Sequence, residues 1–267
     1  MTDSAMVLAS EFPPGVDSFD YRDWFTGLSD TALTNVFTTV TFGVWLAAAV
    51  LIVFFLWAYR KPRLVPTRMQ WMAESAYGVV RNSISVDILG KEVGVRFAPY
   101  LTTLFMFVLL TNFLAIVPVM QISPNSHIAF PAVLAIITWV IYVSVGIRKH
   151  GLGQFLKITV IPPGAPAFIL PLLIPLEFLQ NLVLRPLTLA LRLFANMFAG
   201  HLILLVFILG GFAMLESGNV FIQGLSFVSM LMGIGLTLFE LIVIVLQAYV
   251  FTLLTTLYIQ GSLADEH

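Results

Sequence analysis

The sequence predicts an all-α integral membrane protein with five membrane-embedded helices, a surface amphipathic helix, and a long, strongly tilted hairpin formed by the last two helices. The first observation is composition, with 59% hydrophobic and 10% charged residues, whereas soluble proteins carry about 25% charged residues. The second is the length of the apolar runs, which far exceeds the ~10 residues of a membrane β-strand. The fold is therefore helical, because a helix satisfies its own backbone in lipid.

The N-terminal part predicts an external segment followed by a first membrane helix. Residues 1–35 are acidic, and the only basic residue among them is Arg22. This segment lacks the basic start of a cleavable signal peptide, so we expect it to be retained. Residues 36–58 are uncharged and long enough to span a bilayer. Trp57 and Tyr59 then match an aromatic belt at the membrane interface.

The next segment, 64–96, is polar and basic, and its apolar residues recur at helical spacing: Met72, Ala76, Val79 and Val80. This pattern predicts a helix on the cytoplasmic membrane surface that ends at a turn near Gly90. A solvated loop is an alternative that the periodicity supports equally well.

A transmembrane hairpin is predicted for 97–147, a stretch without Asp, Glu, Lys or Arg. Its helices are expected over 100–120 and 132–147, separated by a polar, proline-containing break. Pro99 is expected just before the first of these helices, where proline is tolerated.

The long C-terminal hairpin is predicted within 158–260, followed by a cytoplasmic tail over 261–267. Prolines interrupt the start, so we expect helix from about Glu177 to Leu209 and a last helix over 225–260. The loop between them is predicted to contain Gly210, Gly211, Glu216, Ser217 and Gly218. The last helix greatly exceeds the ~20 residues of one crossing, which predicts strong tilt.

The distribution of basic residues predicts the orientation. Lys and Arg follow the first and third spans, whereas the other loops hold few of them. Basic loops mark the cytoplasmic side, so the N-terminus is expected outside and the C-terminus inside.

Arg192 is the residue of greatest functional interest, because it lies in the middle of an apolar helix. A cation in hydrocarbon costs roughly 3 kcal/mol on insertion scales, and arginine cannot escape by losing its proton. Arg192 must therefore face a water-filled cavity or an anionic partner. Snorkelling to the membrane surface is the alternative, and it suits Arg185 better.

Other polar residues of the last hairpin share helix faces. Asn196 lies four residues after Arg192, and Glu240, Ile244, Gln247 and Phe251 fall on one side of the last helix. The chain has no cysteine for a thiolate metal site and no nucleotide-binding P-loop pattern. We predict neither a cofactor nor a metal.

The segment 185–201, with the sequence RPLTLALRLFANMFAGH, resembles the signature of subunit a of F-type ATP synthases. A second match includes Glu240, Gln247, Ala248 and Phe251. The resemblance implies a stator subunit that is not an enzyme on its own and that passes protons, with Na⁺ as the alternative ion, to a rotating c-ring. It also implies peripheral-stalk b-type subunits and the lipid bilayer as partners, no nucleic acid, and a bacterial plasma membrane, or else an organelle inner membrane.

The resemblance further implies a proton path made of two half-channels separated by Arg192. The outer half-channel would be lined by Asn112, Asn196, His201, Glu240 and Gln247, and the inner one would lie near Glu177. His201 and Glu240 hold a histidine and an acid in the opposite order to well-studied members. Purely structural alternatives are a hydrogen-bonded core histidine at His201, an interfacial carboxylate at Glu177 and a helix–helix hydrogen bond at Asn112.

Two other functions remain open at this stage. A free-standing secondary transporter would use Arg192 to bind an anionic substrate, but such folds usually contain internal repeats, and the Arg192 segment is not repeated. A structural or assembly protein would leave the costly Arg192 and Glu240 unexplained.

Overall fold

The computed structural model describes residues 39–117, 123–160, 168–217 and 219–264. Within these ranges the chain is helical without a β-strand, and five helices are long and apolar enough to cross a membrane. The predicted all-α membrane fold is confirmed. The N-terminal segment 1–35 and the extreme C-terminus lie outside the described residues.

Eight α-helices form the described part of the chain, joined by π-helical turns at Arg81–Val86 and Gln180–Leu184 and a 3₁₀ turn at Pro124–Ser126. They are α1 (Thr39–Ala58), α2 (Arg68–Val80, continued after the π turn by Asp87–Leu89), α3 (Lys91–Phe113), α4 (Ala129–His150), α5 (Leu152–Val160), α6 (Leu170–Leu179), α7 (Arg185–Leu215) and α8 (Val220–Leu263).

The chain divides into two compact units. Unit 1 contains the described residues of 1–48, 109–127 and 195–247, and unit 2 contains those of 49–108, 128–194 and 248–267.

The C-terminal hairpin consists of two unusually long apolar rods. The first, Leu170–Leu215, has 46 residues, and the second, Val220–Leu263, has 44. At ~1.5 Å per residue each is roughly 65–70 Å long, about twice the ~30 Å hydrocarbon thickness. Helical segments of this length are consistent with the predicted tilt, since tilting accommodates an excess of hydrophobic length.

In unit 1, serine side chains of α8 form hydrogen bonds to the backbone of α7. Ser226 Oγ donates to the Gly211 carbonyl at 2.6 Å, and Ser229 Oγ donates to the Phe207 carbonyl at 2.7 Å. Gly210 and Gly211, predicted to begin the loop, are instead helical, whereas Glu216 and Ser217 of the predicted loop lie after the helix end. Gly211 allows close packing, since a Cβ there would lie 3.2 Å from Met230 Cγ.

In unit 2, α2 packs against α3 through a small apolar core. Val80, Ile84 and Leu101 are fully buried, while Trp71 and Met72 on the other side of α2 remain exposed. Thr67 caps the start of α2 by accepting the Gln70 N–H at 3.4 Å. The predicted helix and its terminating turn are confirmed, with Gly90 at φ 78°.

Two proline positions differ from the prediction. Helix α3 begins at Lys91, so Pro99 lies inside it, and α6 begins at Leu170, before Glu177, with Pro175 inside. Sequence rules for soluble helices stop a helix at such prolines. Membrane helices tolerate them because hydroxyl side chains and neighbouring helices satisfy the freed backbone groups.

The bend predicted at Pro186 falls beside a π-helical turn. There the Arg185 N–H donates to the Gln180 carbonyl, five residues earlier. A proline has no N–H to donate, so Pro186 interrupts the regular hydrogen bonding at the start of α7. The wider π-helical turn directly precedes this interruption.

The close contact between Gly94 of α3 and the backbone of Ser85 can be tested by substitution. A Cβ at Gly94 would lie 2.7 Å from the Ser85 carbonyl oxygen, whereas nothing lies within 4 Å of a Cβ at Gly78. We expect Gly94→Ala to lower the melting temperature of the protein in detergent, since overpacking costs about 1–3 kcal/mol.

The matched control is Gly78→Ala, which should leave the melting temperature unchanged or raise it, because glycine destabilises helix interiors by about 0.5–1 kcal/mol. Equal melting temperatures for the two variants, measured by intrinsic fluorescence, would contradict the described α2–α3 contact.

Candidate functional site

Glu240 is a buried carboxylate on the inward side of α8 in unit 1. Its side chain is 6% exposed, and Gln247 and Ile244 on the same side are also buried. Phe251, one turn further on, is buried as well, so the predicted common side of these four residues is confirmed. Among the described residues, none forms a hydrogen bond to Glu240 Oε1. Since a buried charge without a partner is costly, this oxygen is available to a proton or a water molecule.

Gly200, which has no side chain, lies close to the Glu240 carboxylate. A Cβ at Gly200 would lie 3.7 Å from Glu240 Oε1, so the carboxylate rests against the α7 backbone at this position. The next residue along α7 is the half-buried His201. The imidazole and the carboxylate predicted as a pair therefore belong to neighbouring stretches of α7 and α8 within unit 1.

Asn196 and Gln247 form a direct bridge between the same two helices. Asn196 Nδ2 donates to Gln247 Oε1 at 2.6 Å. Gln247 is only 3% exposed, whereas Asn196 lies on the exposed side of α7. The bridge therefore extends from the buried interior of the hairpin to its surface.

Asn112 lies in a buried polar cluster at the end of α3, also in unit 1. Asn125 Nδ2 donates to both Asn112 Oδ1 and Thr111 Oγ1, and Ser123 Oγ donates to the Thr111 carbonyl at 2.9 Å. Asn112 and Asn125 are fully buried. Sequence reasoning treated Asn125 only as part of a polar break, although a polar cluster between two apolar runs is itself a signal.

Arg192 is exposed on α7, beside the buried face formed by Leu189, Leu193 and Met197. It belongs to unit 2. It forms no hydrogen bond or ion pair with any residue that the structure describes. The cation is thus displayed on the surface of an apolar, membrane-length helix without a counter-ion from the described chain.

Glu177 lines a polar cavity of about 190 Å³ in unit 2. Asn181 Nδ2 donates to Glu177 Oε2 at 3.0 Å and to the Thr159 carbonyl at 2.8 Å. Tyr142 Oη donates to the Asn181 carbonyl at 2.9 Å. These bonds hold the Glu177 carboxylate at the cavity wall.

Two polar residues that line this cavity, His150 and Asn181, were missed at the sequence level. His150 lines it, and its Nε2 is buried without a hydrogen-bond partner among the described residues. Arg185 also lines the cavity and lies over the Tyr258 ring at 5.4 Å. In the sequence, His150 was hidden in a basic run that was interpreted only as a topology signal, while Asn181 carried no signal.

The candidate residues therefore fall into two groups. Asn112, Asn196, His201, Glu240 and Gln247 belong to unit 1, whereas Glu177 and Arg192 belong to unit 2. Unit 1 joins Asn196 to Gln247 directly, while the described hydrogen bond of Asn112 is to Asn125. Chemically, the carboxyl and imidazole groups can bind and release protons, and the amides can hydrogen-bond to water along a path. These residues contain no activated nucleophile in the described chain.

Comparison with known proteins identifies the family. The sequence pattern of the family described as "ATP synthase A chain" matches residues 41–260. A protein of a Nocardioides species named "ATP synthase subunit a" is 44% identical over 261 residues, which cover 96% of this chain and 94% of the relative.

Relatives from two other organisms carry the same name. The Rhodococcus erythropolis protein is 46% identical, with 80% of this chain and 78% of the relative covered. The Streptomyces lividans protein is 37% identical, with 100% of this chain and 93% of the relative covered. Because the match extends over nearly the whole membrane-embedded chain, this protein belongs to the ATP synthase A chain family.

Proposed function

We propose that the chain is the proton-translocating stator subunit of a rotary F-type ATP synthase and offers two offset half-channels to a ring of c subunits. The observation that carries this proposal is Arg192, an exposed cation on a membrane-length helix of a chain in this family. Its missing counter-ion is supplied, in this proposal, by a carboxylate of the passing ring. The subunit does no bond chemistry, and ATP is made elsewhere in the complex.

The outer half-channel is built, in this proposal, from the unit 1 residues. A proton enters through the buried region of Asn112 and Asn125 and reaches His201 and Glu240. The free Oε1 of Glu240 supports this role, because a group that binds and releases a proton cannot be fully committed to structural bonds. The Asn196–Gln247 bridge then leads towards the exposed side of α7.

Arg192 acts as the separator. Its charge attracts an ionised ring carboxylate and favours proton release from a neutral one. The same charge repels protons and so prevents a direct leak between the half-channels. Arginine suits this position because it stays charged at every stage of the cycle.

The inner half-channel begins, in this proposal, at the cavity lined by Glu177 and His150. Imidazole and carboxylate groups are the side chains that most often accept and release protons in proteins. The N-terminus lies outside and the C-terminus in the cytoplasm of a bacterial cell, with the plasma membrane as the location. Peripheral-stalk b-type subunits hold the chain against the turning ring.

The separator role predicts the behaviour of Arg192→Ala. ATP-driven proton pumping by vesicles containing the complex should be abolished, while passive proton permeability through the membrane sector should survive, because the half-channels remain without their barrier. Both rates are measured with a pH-sensitive fluorescent dye.

Arg60→Ala removes an exposed arginine next to α1 and is the matched control, expected to pump at the wild-type rate. Near wild-type pumping by Arg192→Ala would refute the separator role and return Arg192 to a structural or substrate-binding role.

The proton-relay role predicts a large effect of Glu240→Gln. The amide keeps the shape of the side chain but cannot exchange a proton, so ATP-driven pumping should fall by about a hundredfold, the lower range for positioned proton-transfer groups. Glu240→Asp, which retains the carboxylate, should recover part of the rate.

The exposed Glu216 provides the control, and Glu216→Gln should leave pumping unchanged. If Glu240→Gln and Glu240→Asp reduce pumping equally, then packing rather than proton exchange explains the residue.

The inner-channel role predicts that Glu177→Gln slows both pumping and ATP synthesis several-fold. Removing the carboxylate leaves the cavity in place, because Asn181 still bonds the Thr159 carbonyl, but it removes a proton acceptor from the wall.

Glu92→Gln changes an exposed carboxylate in the first turn of α3 and should have no effect. Unchanged rates for Glu177→Gln between pH 6 and pH 8 would remove Glu177 from the path.

A further inference from the structure

We propose that a groove between α3 and α4 binds one anionic phospholipid, with its phosphate held by Arg96 and Arg148. This site is separate from the proposed proton path, and it does not depend on the proposed function.

The groove lies within unit 2 and has a volume of about 650 Å³. Its walls are mostly apolar and come from single faces of the two helices, since the lining residues recur at spacings of three and four. Those of α3 are Val93, Phe97 and Tyr100, and those of α4 are Val140, Ile141, Ser144 and Val145, with Leu263 of α8 beside them.

The two helices run antiparallel, so the basic residues gather at one end of the groove. Phe107 contacts Phe130, with ring centroids 6.0 Å apart, and Tyr100 Oη lies 3.5 Å from Thr138 Oγ1. This register places Arg96, near the start of α3, at the same end as Arg148, near the end of α4.

Helix capping does not explain all of these charges. Arg148 and Lys149 lie in the last turn of α4, where cations stabilise the helix dipole. Arg96 lies in the second turn of α3, near the helix end where the dipole disfavours cations. Arg96 and Arg148 are exposed, and no carboxylate of the described residues pairs with either guanidinium group, which suits both to binding phosphate oxygens.

Lys149 adds an ordered ammonium group to this end. Its Nζ donates to the Leu263 carbonyl at 2.6 Å, which fixes the side chain beside the groove. The charge of Lys149 therefore lies at the same end of the groove as Arg96 and Arg148.

The apolar walls determine which phosphate compound fits. The stretch of α3 from Val93 to Tyr100 spans about 10 Å at ~1.5 Å per residue, enough for a headgroup and the upper part of an acyl chain. Free phosphate would use the cations but none of the apolar wall. Basic pockets between membrane helices on the cytoplasmic side are typical sites for anionic lipids.

The test uses the complete ATP synthase in detergent and two photoactivatable lipids with the same diazirine-labelled acyl chain, phosphatidylglycerol and phosphatidylcholine. We expect phosphatidylglycerol to crosslink to residues of the groove, located by peptide mass spectrometry, and phosphatidylcholine to label them far less. Arg96→Gln combined with Arg148→Gln should weaken half-maximal labelling by about thirtyfold, since each basic residue near anionic lipid contributes about fivefold.

The matched control is Arg60→Gln combined with Arg63→Gln, which removes the same charge from exposed positions after α1. Its labelling should equal that of the wild type. Ser144→Trp provides an independent variant, because it fills the groove from an exposed position without changing any charge, and it should abolish labelling at the groove.

Three results would overturn the proposal. They are equal labelling by the two lipids, groove labelling unchanged by both Ser144→Trp and the Arg96/Arg148 pair, and displacement of phosphatidylglycerol by inorganic phosphate as readily as by unlabelled phosphatidylglycerol. The last result would assign the cations to a free phosphate ion.

Discussion

The cost of leaving a polar group unpaired in hydrocarbon is the constraint on which this structure depends. It makes every described span a helix, because only a helix satisfies its own backbone in lipid. It also separates the polar side chains into two kinds. The first kind is satisfied within its own helix. In α8 the Thr252 hydroxyl donates to the Ala248 carbonyl and the Thr256 hydroxyl donates to the Thr252 carbonyl, so the role of these residues is structural.

The second kind of polar side chain bridges two elements or lacks a full set of partners. Asn196 and Gln247 join α7 to α8, Asn125 joins the 3₁₀ turn to the end of α3, and Glu240 keeps one oxygen without a described partner. Buried polar groups are normally satisfied, and the exceptions call for an explanation. In a chain of the ATP synthase A chain family, the explanation that we propose is a path for protons.

The length of the two C-terminal helical segments bears on how they lie in a membrane. Segments of 46 and 44 residues are far longer than one crossing, and tilting accommodates such an excess of length. A tilted segment offers a long face to a neighbour in the membrane. Arg192 lies on such an exposed face. In the proposed function, this geometry keeps a permanent charge next to a moving carboxylate while the buried side of α7 holds the hairpin together.

The sequence by itself determined the helical membrane class, the number of long spans, the turn at Gly90, the common side of Glu240 and Gln247, and the family, because hydrophobic length and helical spacing are local properties. It misplaced the boundaries at Pro99, at Pro175 and at Gly211, where the local penalty is offset by neighbours that only the folded chain supplies. The Asn112–Asn125 contact, the cavity that joins Glu177 to His150, and the groove below Arg96 were decided by tertiary structure alone. They unite residues that are distant in sequence, and no periodicity within one segment encodes which side chains of two helices will meet.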